Sequence, residues 1–290
     1  MQNRRPSVSV IIPTFNRASF VVDAISSCLF QNIPSQLLEI VVVDDGSTDA
    51  TGPKINRYAD RIRYLPFHIN RGRNKARNAG LAVATGDYVK FLDSDDVLES
   101  GSLNVELATA HAAGADMVLS GWQLLEIGSR KTAIRFAAPR IEPVIDGLLA
   151  GRAVPTGAAL YLRSMIGDMR WDEGLRKLDD WDWFIRAALR AKKVVRADVI
   201  SYSWREHPGQ GIRNETMLLN AQEHHIILRK LEAALNARGE LTISRRKRLA
   251  QYYYKEMRVL CLHDKTRFEW GVRHIYELDP KFVPKDEERQ

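Results

Sequence analysis

The feature that most restricts the fold of this chain is a fourfold alternation in its first hundred residues. Continuous, largely apolar runs (Val8 to Ile12, Leu38 to Val43, Ile62 to Leu65 and Tyr88 to Leu92) are separated by stretches of helical character. Phe20, Ala24 and Cys28, with Val21, Ile25 and Leu29, form two i,i+4 rows and predict the apolar face of an amphipathic helix. A short helix with Pro53 in its first turn follows the second run, and Asn74 to Ala84 reads as a small-residue helix closed by Gly86. Strands apolar on both faces need cover on both faces. The order β-α-β-α-β-α-β therefore predicts an α/β fold with a Rossmann-like, mostly parallel sheet flanked by helices. Ligands of such sheets lie beyond the carboxyl ends of the strands. There the sequence places Thr14-Phe15-Asn16-Arg17, Asp44-Asp45, Asn70-Arg71-Gly72 and Asp93-Ser94-Asp95-Asp96.

The rest is less regular. Helices are predicted over 103–113 and 179–191, and strands over 117–125, 158–162 and 199–204. After a turn at 207–211 the pattern becomes helical, through 217–237 and 244–262. With 45% hydrophobic and 27% charged residues in 290, a disordered or collagen-like chain is excluded. Cys28 and Cys261 form no CxxC pair, so neither a zinc cluster nor a disulfide framework is indicated, and a reducing cytosol fits. No run approaches the roughly 18 apolar residues of a membrane span, and the N-terminal one is too short for a secretory signal. The expected location is cytoplasmic. Between Arg229 and Arg273 twelve Lys and Arg face five Asp and Glu, which accounts for the whole net charge of +7.

Asp93 and Asp95, on one side of an extended chain, would offer hard oxygens to magnesium or manganese, completed by water and substrate phosphates. The same residues also fit a solvated turn with Asp96 capping the next helix. Asp44 suits a base imide or a ribose hydroxyl, and equally an Asp-Gly turn before a Ser/Thr cap. The cations of Asn70 to Gly80, at a helix start, suit a diphosphate or a solvated face.

Taken together, residues 7 to 100 resemble the nucleotide-binding half of the GT-A glycosyltransferases of family two. The carrying segments are Ser9 to Arg17 (SVIIPTFNR), Glu39 to Asp49 (EIVVVDDGSTD), Asn70-Arg71-Gly72 with Ala76 to Gly80 (ARNAG), and Gly86 to Asp96 (GDYVKFLDSDD). The resemblance implies that Thr14 and Asp44 hold the nucleoside, and that Arg71 and Arg77 lie near the nucleotide or brace its acidic ligands. It gives Asp93 to the ribose and Asp95 to a divalent metal, Mn2+ or Mg2+, that neutralises the leaving nucleoside diphosphate.

Leu178 to Phe184 (LDDWDWF) resembles the family's Glu-Asp motif, with Asp179 in place of the usual Glu, and aligns Asp180 with the general base. A hydrophobic wall such as Trp181 or Trp183 would raise its pKa; the three aspartates would also suit a helix N-terminus. Tyr202 to Gly209 (YSWREHPG) resembles a later segment in which His207 would reach the metal or pyrophosphate, although a lone His is as often structural. Gly157, in Thr156-Gly157-Ala158-Ala159, resembles a loop beside the acceptor, where small residues let substrate approach the backbone. Asp96 is expected to support the site.

These roles imply residues 1–100 as the nucleotide-sugar half, 101–210 as the acceptor half and 211–290 as a helical extension. The function implied is inverting, metal-dependent transfer from a nucleoside-diphosphate sugar, with UDP preferred. Its acceptor would be a hydroxyl of a glycan or lipid-linked saccharide, in cell-surface polysaccharide synthesis. A sugar-phosphate nucleotidyltransferase would need a Gly-rich phosphate loop that Ile12-Pro13-Thr14-Phe15-Asn16 does not supply. A non-enzymatic alternative uses Arg245 to Arg248 with Tyr252 to Tyr254 against a membrane or nucleic acid. Peripheral attachment to the inner membrane face through these helices is the partner expected besides donor and acceptor; no nucleic acid is.

Overall fold

The computed structural model describes residues 5–127, 133–139, 144–152, 154–207 and 217–284. In chain order the elements begin with β1 (Val8–Thr14), α1 (Val21–Leu29), β2 (Leu38–Asp44), α2 (Thr51–Ile55), β3 (Arg63–Pro66) and α3 (Arg73–Val83). Then come β4 (Tyr88–Phe91), β5 (Val97–Leu98), α4 (Ser102–Ala113), β6 (Met117–Glu126), β7 (Ile134–Phe136), α5 (Val144–Leu148), β8 (Ala159–Leu162) and α6 (Arg163–Ile166). The chain continues through α7 (Asp179–Arg190), β9 (Val194–Glu206), α8 (Met217–Ala237), α9 (Ile243–Leu260) and α10 (Lys265–Leu278). Two units divide it: the first holds Met1–Ile141, Ala153–Gly174 and Ala187–Gln210, the second Glu142–Arg152, Leu175–Arg186 and Gly211–Gln290.

The first unit is built on one sheet with strand order β3-β2-β1-β4-β8-β6-β9-β5, β7 pairing β6. Pairing is parallel from β3 to β4 and mixed beyond, because β8 runs antiparallel between β4 and β6. Every residue of β1 is buried, as cover on both faces requires. The third run is different. It forms the sheet edge over Arg63–Pro66 with both ends exposed, so its apolar character reflects one covered face. β9 begins five residues earlier than its apolar pattern suggests. Its first segment pairs with Met117 to Leu119, while Arg196 and Asp198 pair with each other on the surface at 2.9 Å and mask the strand signal.

The second unit is helical. Ile227, Leu228, Leu231 and Leu235 of α8, Leu249, Tyr253, Met257 and Leu260 of α9 and Ile275 of α10 are all buried, and Ile145 and Leu148 of α5 with them. Thr242 and Asp264 cap α9 and α10, each accepting from the backbone N–H three residues on. One expectation fails here. Arg245, grouped with its three neighbours as a basic face, is buried and bonds Asp146 at 2.9 Å and Glu240 at 3.3 Å, because its position lies on the inner side of α9. Beyond His207, the turn expected at 207–211 lies outside the described residues.

Candidate functional site

The parallel register of the first unit brings the sequence motifs to one edge. Thr14 and Asp44 are partners across β1 and β2, and Leu92, just before Asp93, donates to Ile11 of β1 at 3.0 Å. The loops after β1 and β2 are tied together: Asn16 N–H donates to Ser47 Oγ, Thr48 N–H to Asn16 Oδ1 and Arg17 N–H to Thr51 Oγ1, each at 2.9 Å. Asn16 itself adopts φ 50°, which asparagine tolerates. Gly46 is required by its turn: φ is +78°, and a Cβ there would stand 2.5 Å from the Ile69 carbonyl carbon.

Asp44 is buried and fixed, its carboxylate accepting from Ser47 N–H at 2.9 Å and Tyr64 O–H at 3.0 Å. Its neighbour Asp45 accepts the backbone N–H groups of Arg71 at 2.7 Å and Gly72 at 2.8 Å, and so shapes the loop before α3. Burial raises the Asp45 pKa against the pull of those bonds. Thr14 Oγ1 is buried and has no hydrogen-bond partner among the described residues.

The carboxylates after β4 have separate partners. Asp93 meets Arg77 at 2.7 Å; this guanidinium is buried and lies 4.3 Å over the Trp171 ring. Arg77 thereby fixes the Asp93 carboxylate, whereas Arg71 is exposed with its guanidinium 5.5 Å over Phe67. Asp95 Oδ2 lies 3.2 Å from Arg17 Nε and 3.3 Å from His207 Nε2, and the imidazole rests on Phe20 with ring centroids 4.4 Å apart. Asp96 points elsewhere. It is buried, accepts from the Tyr202 hydroxyl and from Arg205 N–H at 2.7 Å, and caps no helix. Burial, with the charges of Asp95 and Asp93, raises its pKa well above the usual carboxylate range, against the bonds from Tyr202 and Arg205.

Arg205 also reaches the Asp95 carbonyl through Nε and Asp23 through Nη1 at 2.7 Å. Arg17 and Asp45, which the sequence places at the strand ends, and Tyr202 and Arg205, which it places in the segment before His207, are given specific partners only by backbone geometry and distant segments. At Gly157 a Cβ would fall 2.2 Å from the Tyr202 ring, so the residue's smallness admits that ring.

The carboxylate of Asp95 is a donor that Mn2+ or Mg2+ accepts, whereas the imidazole of His207 is a nitrogen donor that the oxygen-preferring Mg2+ does not favour. Among the described residues no three His, Cys, Asp or Glu side chains converge as a ligand set. The pair fits a cation that takes most of its shell from water and diphosphate oxygens, as these metals do.

In the second unit the acidic motif opens α7. Glu223 of α8 accepts the backbone N–H groups of Arg176 at 2.7 Å, Lys177 at 3.0 Å and Leu178 at 2.8 Å, and so fixes the approach to Asp179. No sequence signal marks Glu223. Asp179 and Trp183 are buried and Asp180 is half-buried. Trp181 packs edge-on to His224 at 5.1 Å and near Tyr252 at 5.9 Å. Asp182 is buried and paired with Arg186 at 2.5 Å and Lys230 at 3.4 Å, which makes it structural.

Residues 9–154 match the family model described as Glycosyl transferase family 2. The chain belongs to that family. Among curated relatives, the succinoglycan biosynthesis protein ExoO of Rhizobium meliloti is 36% identical over 126 residues, covering 43% of this chain and 36% of that protein. The chain spans between 36% and 41% of the length of this and two similar family relatives. Its fold is that of solved GT-A glycosyltransferases. Staphylococcus aureus TarS 1-349 in complex with UDP-GlcNAc superposes with a TM-score of 0.71 at 20% identity, over 94% of this chain and 81% of that one. The mannosyltransferase PcManGT of Pyrobaculum calidifontis, in complex with GDP-Man and Mn2+, gives 0.54 at 18% identity, over 97% and 77%.

Proposed function

We propose that this family member is an inverting, divalent-metal-dependent glycosyltransferase that moves a sugar from a UDP-sugar to an acceptor hydroxyl. The acceptor would be a glycan or lipid-linked saccharide, in cell-surface polysaccharide synthesis. The observation that carries the reading is the row of polar groups at the carboxyl ends of adjacent parallel strands: Thr14 and Asp44, then Asp93 and Asp95. The UDP-GlcNAc held by TarS and the succinoglycan synthesis named for ExoO support the donor and acceptor classes.

In this reading Thr14 and Asp44 hold the nucleoside, Asp93 takes the ribose in the orientation Arg77 imposes, and Arg71 faces the nucleotide from the exposed loop. Asp95 and His207 would hold the cation, as the Mn2+ bound by PcManGT suggests. When bound, the cation supplies neutralisation of charge developing on the leaving diphosphate. Asp180 removes the acceptor proton, so that the hydroxyl displaces the diphosphate directly with no covalent enzyme intermediate; Asp179 and Trp181 hold it in place. Among the described residues no helix is long and apolar enough to cross a membrane. Exposed Lys247 and Arg248 would attach the chain peripherally to an anionic inner leaflet.

Two variants test the assignment. Asp95→Ala should abolish the increase in UDP affinity that Mn2+ produces, measured by calorimetry. Asp180→Asn keeps shape but removes basicity, so transfer should fall roughly 10²- to 10⁴-fold with UDP affinity little changed. Metal-independent UDP binding by the native protein, or near-native transfer by a folded Asp180→Asn variant, would overturn the corresponding role.

A further inference from the structure

The second unit contains a pocket of about 400 Å³ whose lining includes Arg229, Glu232 and Asn236 of α8, Arg246 of α9, and Trp270 and His274 of α10. That volume is within the range of small-molecule sites, about 300–1,000 Å³. The charges of the lining do not cancel. His274 has Nε2 2.8 Å from Glu232 and Nδ1 2.8 Å from Glu277. A neutral imidazole has one donor nitrogen, so two carboxylate partners hold the ring in its cationic form. Burial opposes that charge, yet the bonds to Glu232 and Glu277 raise the His274 pKa above its usual value. Glu232 is in turn committed to His274 and to the Tyr253 hydroxyl at 2.9 Å.

Two guanidinium groups remain. Arg229 lies 4.5 Å over the Trp270 ring, and Trp270 itself stacks on His274 with centroids 4.4 Å apart. Arg246 spends Nε on the Leu241 carbonyl at 3.3 Å. Among the described residues neither Arg229 nor Arg246 forms an ion pair. Two like charges are therefore positioned on one cavity by an aromatic face and a carbonyl, with N–H groups left for a planar or tetrahedral oxyanion. Asn236, exposed beside them, supplies an amide for neutral hydroxyls.

We propose that this pocket binds the phosphate or carboxylate group of an anionic saccharide. That an oxyanion enters follows from the lining alone; that a saccharide carries it rests on the glycosyltransferase reading above. The test titrates the full chain, at low salt, with glucose 6-phosphate, glucuronate and glucose, followed by calorimetry. At least one anionic sugar should bind saturably and glucose should not, the preferred one showing whether phosphate or carboxylate is the group recognised. Arg229→Gln with Arg246→Gln should weaken that binding by about tenfold or more. The melting temperature and UDP binding should remain as in the native protein.

The single variant Arg246→Gln, at a partly exposed position, should show a smaller loss in the same direction and covers the case in which the double variant misfolds. Equal binding of all three sugars, no binding of either anionic one, or unchanged affinity in both variants would overturn the pocket assignment. Intact UDP binding beside that failure would leave the glycosyltransferase reading standing. Failed UDP binding beside a positive pocket result would remove the saccharide clause and keep the oxyanion site.

Discussion

Lys90 with Glu106 in the sheet unit and His225 with Glu256 in the helical unit are two acid–base pairs withdrawn from solvent, and they are handled in opposite ways. In the sheet unit Lys90 of β4 and Glu106 of α4 are fully buried, with Nζ 2.8 Å from both carboxylate oxygens and the Ser120 hydroxyl donating to the same carboxylate at 2.5 Å. In the helical unit Glu256 of α9 and His225 of α8 approach only to 3.5 Å, and neither Glu256 oxygen has a hydrogen-bond partner among the described residues. Burial pushes Glu256 up to about 9. Burial, with the charges of Arg267 and Arg229, pushes His225 down to about 4. The first pair is an ion pair completed by hydrogen bonds, the second a pair of neutral groups at neutral pH. Hydrogen bonds to the charged forms, more than burial, decide which outcome a buried pair reaches.

The largest effect expected from this contrast follows removal of one partner in the sheet unit. Lys90→Met leaves the Glu106 carboxylate buried without its counter-charge and should cost about 3–5 kcal/mol in urea unfolding. Adding Glu106→Leu should recover most of that loss, because an apolar pair of similar volume carries no desolvation penalty. A single variant as stable as the native protein would show that the pair is not ionised.

Lys90 also marks the limit of what the sequence reveals. Periodicity exposes β1, β2, β4 and the helices between them because burial on both faces imposes an apolar pattern, and strand-end polar residues are legible for the same reason. A lysine inside a wholly buried strand is readable only once Glu106 is seen to lie beside it. Tyr202 and Arg205, which act on Asp96 from more than a hundred residues away, and Glu223, which holds the entry to α7, are hidden for the same reason. Their signal is three-dimensional. The acidic residues of the site are short-range features of strand ends, while the groups that fix them arrive through the fold.

An intermediate effect is expected from pH. The folded chain keeps the Glu256 proton up to about 9, whereas an unfolded chain releases it near the ordinary 4.5. The folded state holds more protons in that interval, so stability falls as pH rises through it. His225 has the opposite sign: lowered from 6.5 to about 4, it makes the folded state the less protonated one, and stability is lost as pH falls below 6.5. Between 4.5 and 6.5 the two slopes oppose each other. Above 6.5 the Glu256 slope remains, and His274, whose raised pKa makes its contribution fade as pH rises, adds in the same sense. Unfolding free energy should drop by roughly 3 kcal/mol from pH 6.5 to 9, most of it through Glu256. Chemical denaturation across that range measures it, and a flat profile would show that Glu256 ionises like an exposed carboxyl.

The smallest effect is the sharpest test of the comparison. At pH 6 Glu256→Gln exchanges one neutral group for another of nearly the same shape, and since neither carboxyl oxygen has a partner to lose, the change in stability should stay below about 1 kcal/mol. Glu106→Gln at the same pH strips the counter-charge from Lys90 and should cost about 3–5 kcal/mol. Equal costs for the two variants would mean that both glutamates share one protonation state, ionised if both costs are large and neutral if both are small, and that the contrast between the units is false. The sign of the Glu256→Gln effect should also change with pH. The native chain loses stability toward pH 9 because unfolding releases the proton that folded Glu256 keeps, whereas the amide cannot ionise and does not follow it. The variant should therefore become the more stable protein at the alkaline end, by an amount that tracks the native decline less the share due to His274 and Asp96. A crossing of the two stability curves between pH 6 and 9 is expected; parallel curves would place the alkaline decline in other groups with raised pKa values, His274 and Asp96.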